Sequence, residues 1–458
     1  VNKLLCPGTK VMAMSALALV SQAGFAQEPT TAQTPAAQTP APAPAAAQRA
    51  SLTDGFRLEA GAGLTHHSNA TYQNQDEESD LERIIHANVG YQHADDGRFL
   101  ADADYQLQRR DFARGVQSDQ TAIDGRANVV VHLLERRLDA VLENQTSESL
   151  TDSRRVDSTN NQERRTVSTI GLDGYAHFSP VDSLVLSPRY TDVSMQKSSG
   201  SDSQRSMVTA AWQHQSSSVT QAQLSVTYGK VRFKDSDDNN YDIAGVQLGI
   251  RTALSRLSYQ AAVGFNRFDR DHGDNVDGYM MQLGTTYTGD GYTWGGSLVH
   301  ELTDTSIGLT PTEFVLANFN AQDSNFDAQD ILKQTQLEVF GGRNFGVGQL
   351  ELRAGYHRYD YDTLPRDEQG YYVSAGYQYP LNTYWALGAN VRFEKTHFLN
   401  KPNDFTYHQT TPEIYASYRW TERLSVRLSW LRDDRSSNQP FNSYTDNQVL
   451  VDVNYRFF

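Results

Sequence analysis

The sequence predicts an all-β fold, a transmembrane antiparallel β-barrel of about 20 strands, with 18 as the alternative count. Three observations predict it. From residue 51 to the end, apolar and polar residues alternate at period two, run after run. The connections between runs are short and long by strict turns, as in outer-membrane barrels, which have tight turns on one side and long loops on the other. Past residue 26, nothing approaches the roughly 18 consecutive apolar residues of a membrane helix, whereas a barrel stays polar on average because only alternate residues face lipid.

Residues 1–26 read as a signal peptide. Lys3 and Lys10 give a positive start, Val11 to Val20 is an apolar run, and Gly24 and Ala26 supply small residues for cleavage before Gln27. Cys6, the single cysteine, would leave with it, so thiol and disulfide chemistry are not expected of the mature protein. The segment holds two lysines and no acid, so its removal takes the formal charge from −15 to −17. Such a charge argues against nucleic acid as a partner, because phosphate binding needs clustered Lys and Arg. Residues 27–50 are nearly all Ala, Pro, Gln and Thr; they cannot bury a core and are expected to form a disordered periplasmic tether.

Residues 51–458 form the expected barrel. At its start Phe56, Leu58, Ala60, Ala62 and Leu64 interleave with Arg57, Glu59, Gly61, Gly63 and Thr65. Later, Trp385, Leu387, Ala389, Val391 and Phe393 interleave with Gly388, Asn390, Arg392 and Glu394, and Leu424, Val426, Leu428 and Trp430 with Ser425, Arg427 and Ser429. In a strand the two sets point to opposite faces, whereas a helix would mix them. Short links are expected at 95–98, 135–136, 180–182, 217–218, 255, 290, 346–347, 382 and 422. Long ones are expected at 67–79, 117–120, 151–162, 198–204, 236–240, 271–276, 305–330, 365–369, 399–406 and 436–442. Nine short and ten long connections join 20 strands, and an even number places both termini on one side, expected to be the periplasm.

Tyrosine occurs 24 times and recurs near the ends of apolar rows, as at Tyr91, Tyr105, Tyr228, Tyr259, Tyr287, Tyr292, Tyr356, Tyr377, Tyr379 and Tyr418. Such rings form interfacial girdles, although strand propensity alone also favours tyrosine. In the last run Val449, Val451, Val453, Tyr455 and Phe457 alternate with polar residues, and Phe458 follows. Tyr455, Phe457 and Phe458 resemble the C-terminal signal that the barrel assembly machinery reads, with Phe458 standing one residue past the apolar phase. Outer-membrane lipid is the expected surrounding.

With the apolar set turned to lipid, the opposite parity lines the interior: Arg57, Glu59, Glu351, Arg353, Arg392, Glu394, Glu413, Arg419, Arg427, Asp452 and Arg456. Leaving a basic residue in lipid at mid-depth costs about 2–4 kcal/mol, and a water-filled bore removes that cost. A barrel of this width is not filled by side chains, so it is expected to enclose a channel. Arginines gather toward the C-terminus, whereas Asp102, Asp104, Asp139, Glu143 and Asp173 make an acidic wall. Two readings follow: opposed walls that set a transverse field for polar solutes, or charges that merely pair. The connection 305–330 is the longest and carries Glu313, Phe314, Phe319, Asp323, Phe326 and Asp327, which fits a loop folded into the bore as a constriction or one packed on the rim or a partner. His86, His132, His177, His300 and His357 lack any supporting nucleophile or metal motif, so an enzyme is not expected, nor a cofactor or metal.

The opening FRLEAGAGLTHHSNATY (residues 56–72), the acidic stretch 76–80, the hairpin FSPVDSLVLSPRY (178–190) and the close SYTDNQVLVDVNYRFF (443–458) together resemble the beta-barrel porin type 2 family. Ser68-Asn69 stand where that family has an aspartate-asparagine pair. The resemblance spans most of the barrel and implies an outer-membrane exit channel for an exopolysaccharide or capsule polymer, working with a periplasmic export lipoprotein. The alternation itself implies only a channel, and a diffusion porin for small solutes is the other reading, with a barrel enzyme or receptor behind it.

Overall fold

The computed structural model describes residues 55–94, 98–152, 154–197, 201–235, 239–305, 330–399, 404–439 and 442–457. The expected signal peptide and tether, the residues Glu313, Phe314, Phe319, Asp323, Phe326 and Asp327, and Phe458 lie outside them.

The chain folds into a single 20-stranded antiparallel sheet. In order the strands are β1 (Gly55–His67), β2 (Asp80–Ala94), β3 (Phe99–Phe112), β4 (Gln120–Leu134), β5 (Leu138–Leu150), β6 (Gln162–His177), β7 (Asp182–Met195), β8 (Ser203–Ser217), β9 (Thr220–Phe233) and β10 (Tyr241–Ala253). They continue as β11 (Leu257–Arg270), β12 (Val276–Gly289), β13 (Tyr292–Asp304), β14 (Ile331–Phe345), β15 (Gly348–Tyr361), β16 (Glu368–Pro380), β17 (Trp385–Phe398), β18 (Phe405–Arg419), β19 (Leu424–Ser437) and β20 (Tyr444–Arg456). Each strand pairs with its neighbours in sequence, and β1 pairs with β20 from Glu59 opposite Arg456 to His67 opposite Gln448, so the sheet closes on itself. Closure removes both sheet edges, the condition for a sheet to sit in a medium that offers no hydrogen bonds.

The expected 20 strands are all present, and short and long connections alternate around the barrel: two to four residues at one end, five to 26 at the other. Most boundaries shift by up to three residues, and one by four. The sequence places the second long connection at 117–120, but β3 ends at Phe112. The cause is Asp80, whose carboxylate accepts hydrogen bonds from the Arg114 and Val116 amides at 2.9 and 3.2 Å. A carboxylate that captures backbone amides offers them an alternative to the ladder.

Alternation places the two parities as expected. Phe56, Leu64, Ile85, Leu107, Val226, Leu248, Val263, Val339, Leu352, Val391, Ile414 and Leu428 are exposed on the outer face. All ten tyrosines expected in the girdles also lie on it by register. An exposed apolar band that circles a closed sheet is the surface of a protein whose solvent is lipid. Pro188 and Pro412 face outward within β7 and β18, and the ladder is interrupted beside each, because proline has no amide to donate.

Candidate functional site: the inner face of the barrel

All eleven residues expected to line the interior project from the inner face by register. Their surroundings differ with height. Near the short turns Arg57, Arg419 and Arg456 are exposed. Arg57 pairs with Asp104 at 3.1 Å while both side chains keep more than half their surface open, at 69% and 60%. Glu59 stands opposite Arg456 across the closing seam. Glu351, Arg353 and Arg392 are half-buried, and Glu394, Glu413, Arg427 and Asp452 are buried.

These charges pair within their own wall. Arg353 faces Glu338 at 3.7 Å, Arg392 bonds Glu394 at 3.1 Å and Arg427 bonds Glu413 at 2.5 Å. On the acidic side Asp173 has Arg189 at 2.8 Å, Asp139 has His132 at 2.7 Å, and Asp104 has Arg57. Of the two readings of charge, local pairing is the one the geometry shows for these groups. Neutralised pairs leave little of the transverse field that opposed walls would set.

Between β14 and β19 the inner wall carries a repeated stack. Tyr372 lies directly across from Gly355, and Tyr415 from Gly388. A Cβ at Gly355 would fall 2.3 Å from the Tyr372 ring, and one at Gly388 would fall 2.1 Å from the Tyr415 ring. Only glycine lets each ring lie flat against the sheet. Over these rings sit guanidinium groups, Arg392 at 4.3 Å from the Tyr372 centroid and Arg427 at 3.9 Å from that of Tyr415. Carboxylates close the stacks: the Tyr372 hydroxyl donates to Glu338 at 2.6 Å and the Asn390 amide to Glu413 at 2.9 Å. The alternation located the charges of this wall; the tyrosines on the polar parity were the unread signal.

Toward the long loops the inner face is buried, and its polar groups bond one another. His67 lies between Asp446 at 2.8 Å and Glu82 at 3.1 Å, and Glu82 also takes Arg110. Arg205 of β8 grips Asp304 of β13 through two bonds of 2.6 and 2.9 Å, and the Tyr241 hydroxyl donates to the same carboxylate at 2.5 Å. Those strands are five apart in the sheet, about 24 Å along the wall at ~4.8 Å per strand. The wall therefore folds around the intervening side chains, and Val231, Phe233, Tyr241, Phe268, Leu302 and Ile331 fill that fold as an apolar cluster. Arg270 adds a second tie, to Asp362 at 2.6 Å and Asp330 at 3.4 Å. Beside it lies a cavity of about 150 Å³.

The neck of the longest connection is clamped. Thr305 donates its amide to the Asp330 carbonyl at 3.0 Å and its hydroxyl accepts from the Asp330 amide at 2.9 Å. Ser68 and Asn69 seat the first loop on β20: the Asn69 amide donates to Asp446 at 2.9 Å and the Asn447 amide to the Ser68 hydroxyl at 2.7 Å. At the far end, Tyr455 and Phe457 are outward and in edge contact, with ring centroids 4.8 Å apart. Of the histidines weighed for chemistry, His86 meets Asn454 at 2.6 Å, His132 meets Asp139 at 2.7 Å and His300 meets Thr335 at 2.8 Å.

No known family profile matches the chain. An uncharacterized protein of Aquifex aeolicus (strain VF5) is 36% identical over 114 residues, which is 23% of this chain and 27% of that protein, so the match spans about a quarter of the relative. Among solved structures, the siderophore receptor PirA from Pseudomonas aeruginosa is 10% identical and aligns over 89% of this chain and 81% of that one, with a TM-score of 0.44. The FrpB iron transporter from Neisseria meningitidis (F3-3 variant) is 9% identical over 89% and 82%, also at 0.44. Acinetobacter baumannii OccAB4 is 10% identical over 88% and 99%, at 0.37.

Proposed function

We propose that the protein is an outer-membrane channel of a Gram-negative bacterium and the exit route for a secreted exopolysaccharide or capsule polymer, with both termini in the periplasm. The observation that carries this reading is the one-sided inner wall of β14 to β19. There Tyr372 and Tyr415 lie flat between glycine and guanidinium, and Glu338, Glu394 and Glu413 pair with Arg353, Arg392 and Arg427 beside them. Half-buried rings among ionic groups that pair with one another make a polar wall with few free charges, which suits a hydroxyl-rich chain that slides, because weak contacts exchange one for another without a deep well. The resemblance to the beta-barrel porin type 2 family supports the same reading and suggests a periplasmic export lipoprotein as partner. Tyr455, Phe457 and Phe458 would present the insertion signal to the barrel assembly machinery, and Glu313, Phe314, Phe319, Asp323, Phe326 and Asp327 would narrow the bore.

A diffusion porin for small solutes is favoured by one observation, the open charged vestibule at Arg57 and Asp104. Deleting the gene separates the two. Loss of surface polysaccharide with unchanged uptake of small sugars is the expected result. Unchanged polymer with reduced sugar uptake would end the export reading and leave the porin. In a complemented strain, Tyr372→Ala with Tyr415→Ala should lower polymer output several-fold while the barrel still reaches the membrane.

A further inference from the structure

The outer face changes chemistry at one height. On four strands that rise toward the long connections, an exposed apolar residue is followed, two positions on, by arginine and then by aspartate: Leu107, Arg109, Asp111 on β3; Phe265, Arg267, Asp269 on β11; Tyr356, Arg358, Asp360 on β15; Trp430, Arg432, Asp434 on β19. The four ion pairs span 2.6, 2.6, 2.9 and 2.7 Å and all are half-exposed. Lys230 after Tyr228, and Lys395 after Phe393, repeat the first step on β9 and β17. The short-turn end of the same face ends instead in aromatic rings such as Tyr259, Tyr292, Trp294, Tyr377 and Trp385.

Pairing does not explain this order. Exposed ion pairs contribute about 0–1 kcal/mol, and an aspartate below with an arginine above would pair equally well. Solvation does not explain it either, since water has no preference for which sign comes first. In all four cases the base adjoins the apolar band and the acid stands beyond it. That is the depth at which a lipid leaflet carries its phosphates, and guanidinium matches phosphate oxygens in geometry and charge.

We propose that this belt is a binding surface for lipids with phosphate-monoester head groups in the leaflet on the long-loop side, Arg109, Arg267, Arg358 and Arg432 holding the phosphates while the aspartates above them share divalent cations with neighbouring head groups. A dianionic phosphate competes with the aspartate for the guanidinium where a monoanion does so weakly, and a bridging cation then satisfies the displaced carboxylate. The inference rests on the barrel spanning a bilayer, not on what the barrel conducts, so its failure leaves the export reading untouched.

The test reconstitutes the full-length barrel in phosphatidylcholine vesicles doped with diphosphoryl lipid A, with its dephosphorylated form or with phosphatidylglycerol, in the presence of magnesium, and measures lipid retained per barrel after repurification. The diphosphoryl form should be retained about tenfold over the other two. R109Q/R267Q/R358Q/R432Q should abolish that preference and the matching lysine set should restore most of it. If the fourfold glutamine variant fails to fold, each single Arg→Gln change should lower retention in part. Equal retention of the three lipids by the native protein, or undiminished retention by the glutamine variants, would overturn the proposal. Failure of the barrel to float with any vesicle would remove the bilayer placement on which it depends.

Discussion

At Gly388 the missing side chain is what lets Tyr415 lie against the sheet, and the same holds for Gly355 beneath Tyr372. Gly388→Ala would put a methyl group 2.1 Å from the Tyr415 Cζ, so the ring must leave its place and Arg427 must lose its seat above it. Displacements of this kind cost about 1–3 kcal/mol, expected as a lower denaturant midpoint for the purified barrel in detergent. In a Tyr415→Ser background the same glycine change should cost much less, because the clash has gone; a cycle of the four proteins measures that coupling. Additive costs would show that Gly388 matters for some reason other than the ring. At this scale the sequence was half legible. Parity alone sorted Arg392, Glu413 and Arg427 onto the inner face, since a strand has only two faces. It said nothing of which ring stacks on which glycine, because cross-strand partners depend on register, and alternation excludes slips of one residue but not of two, which turn geometry decides.

Strands and turns were the most legible part, because the period-two rows and the polar breaks between them are local signals. The end of β3 was missed since its cause, Asp80, lies on the neighbouring strand, 34 residues before Arg114. Loops have their own internal logic, as in the connection between β5 and β6. Asp152 there accepts hydrogen bonds from the Arg154 amide at 3.1 Å and from its Nε at 3.0 Å, and Asn161 holds the loop's base through the Asp152 carbonyl at 2.9 Å. Burial pushes the Asp152 carboxyl up, but the bonds from Arg154 and the charges of Arg154 and Arg366 outweigh it and hold the group below its ordinary value. A depressed acid contributes stability above its unfolded pKa and loses it only as pH falls through the lower folded value. Amide-exchange protection across residues 151–161 should therefore persist at neutral and mildly acidic pH. It should decline only below the ordinary aspartate range, and Asp152→Asn should lower it at neutral and mildly acidic pH but not once the native carboxyl is protonated. Protection that faded instead near the histidine range would assign the loop's order to another group.

Closure of the whole barrel sets a problem that no single strand shows. Twenty strands enclose more width than side chains fill, yet at the long-loop end Arg205 reaches Asp304 and the wall folds around an apolar cluster. The sequence placed both residues beside long connections, but nothing local ties position 205 to position 304; only the curvature of the closed sheet brings them together. Breaking that tie should change width and stability together. Asp304→Asn leaves the buried Arg205 without its two-pronged carboxylate, a loss of about 3–5 kcal/mol for a buried pair. As the fold in the wall relaxes, single-channel conductance in a planar bilayer should rise several-fold. R205M/Y241F/D304L provides the control, because apolar groups of similar volume often replace a buried ion pair at little cost, and Phe removes the Tyr241 hydroxyl that also bonds Asp304. That triple variant should recover the native unfolding midpoint and the native conductance, since the walls still touch. An Asp304→Asn protein that is less stable but conducts like the native one would place the narrowest point of the bore elsewhere, below the Arg205 bridge and nearer the tyrosine stacks.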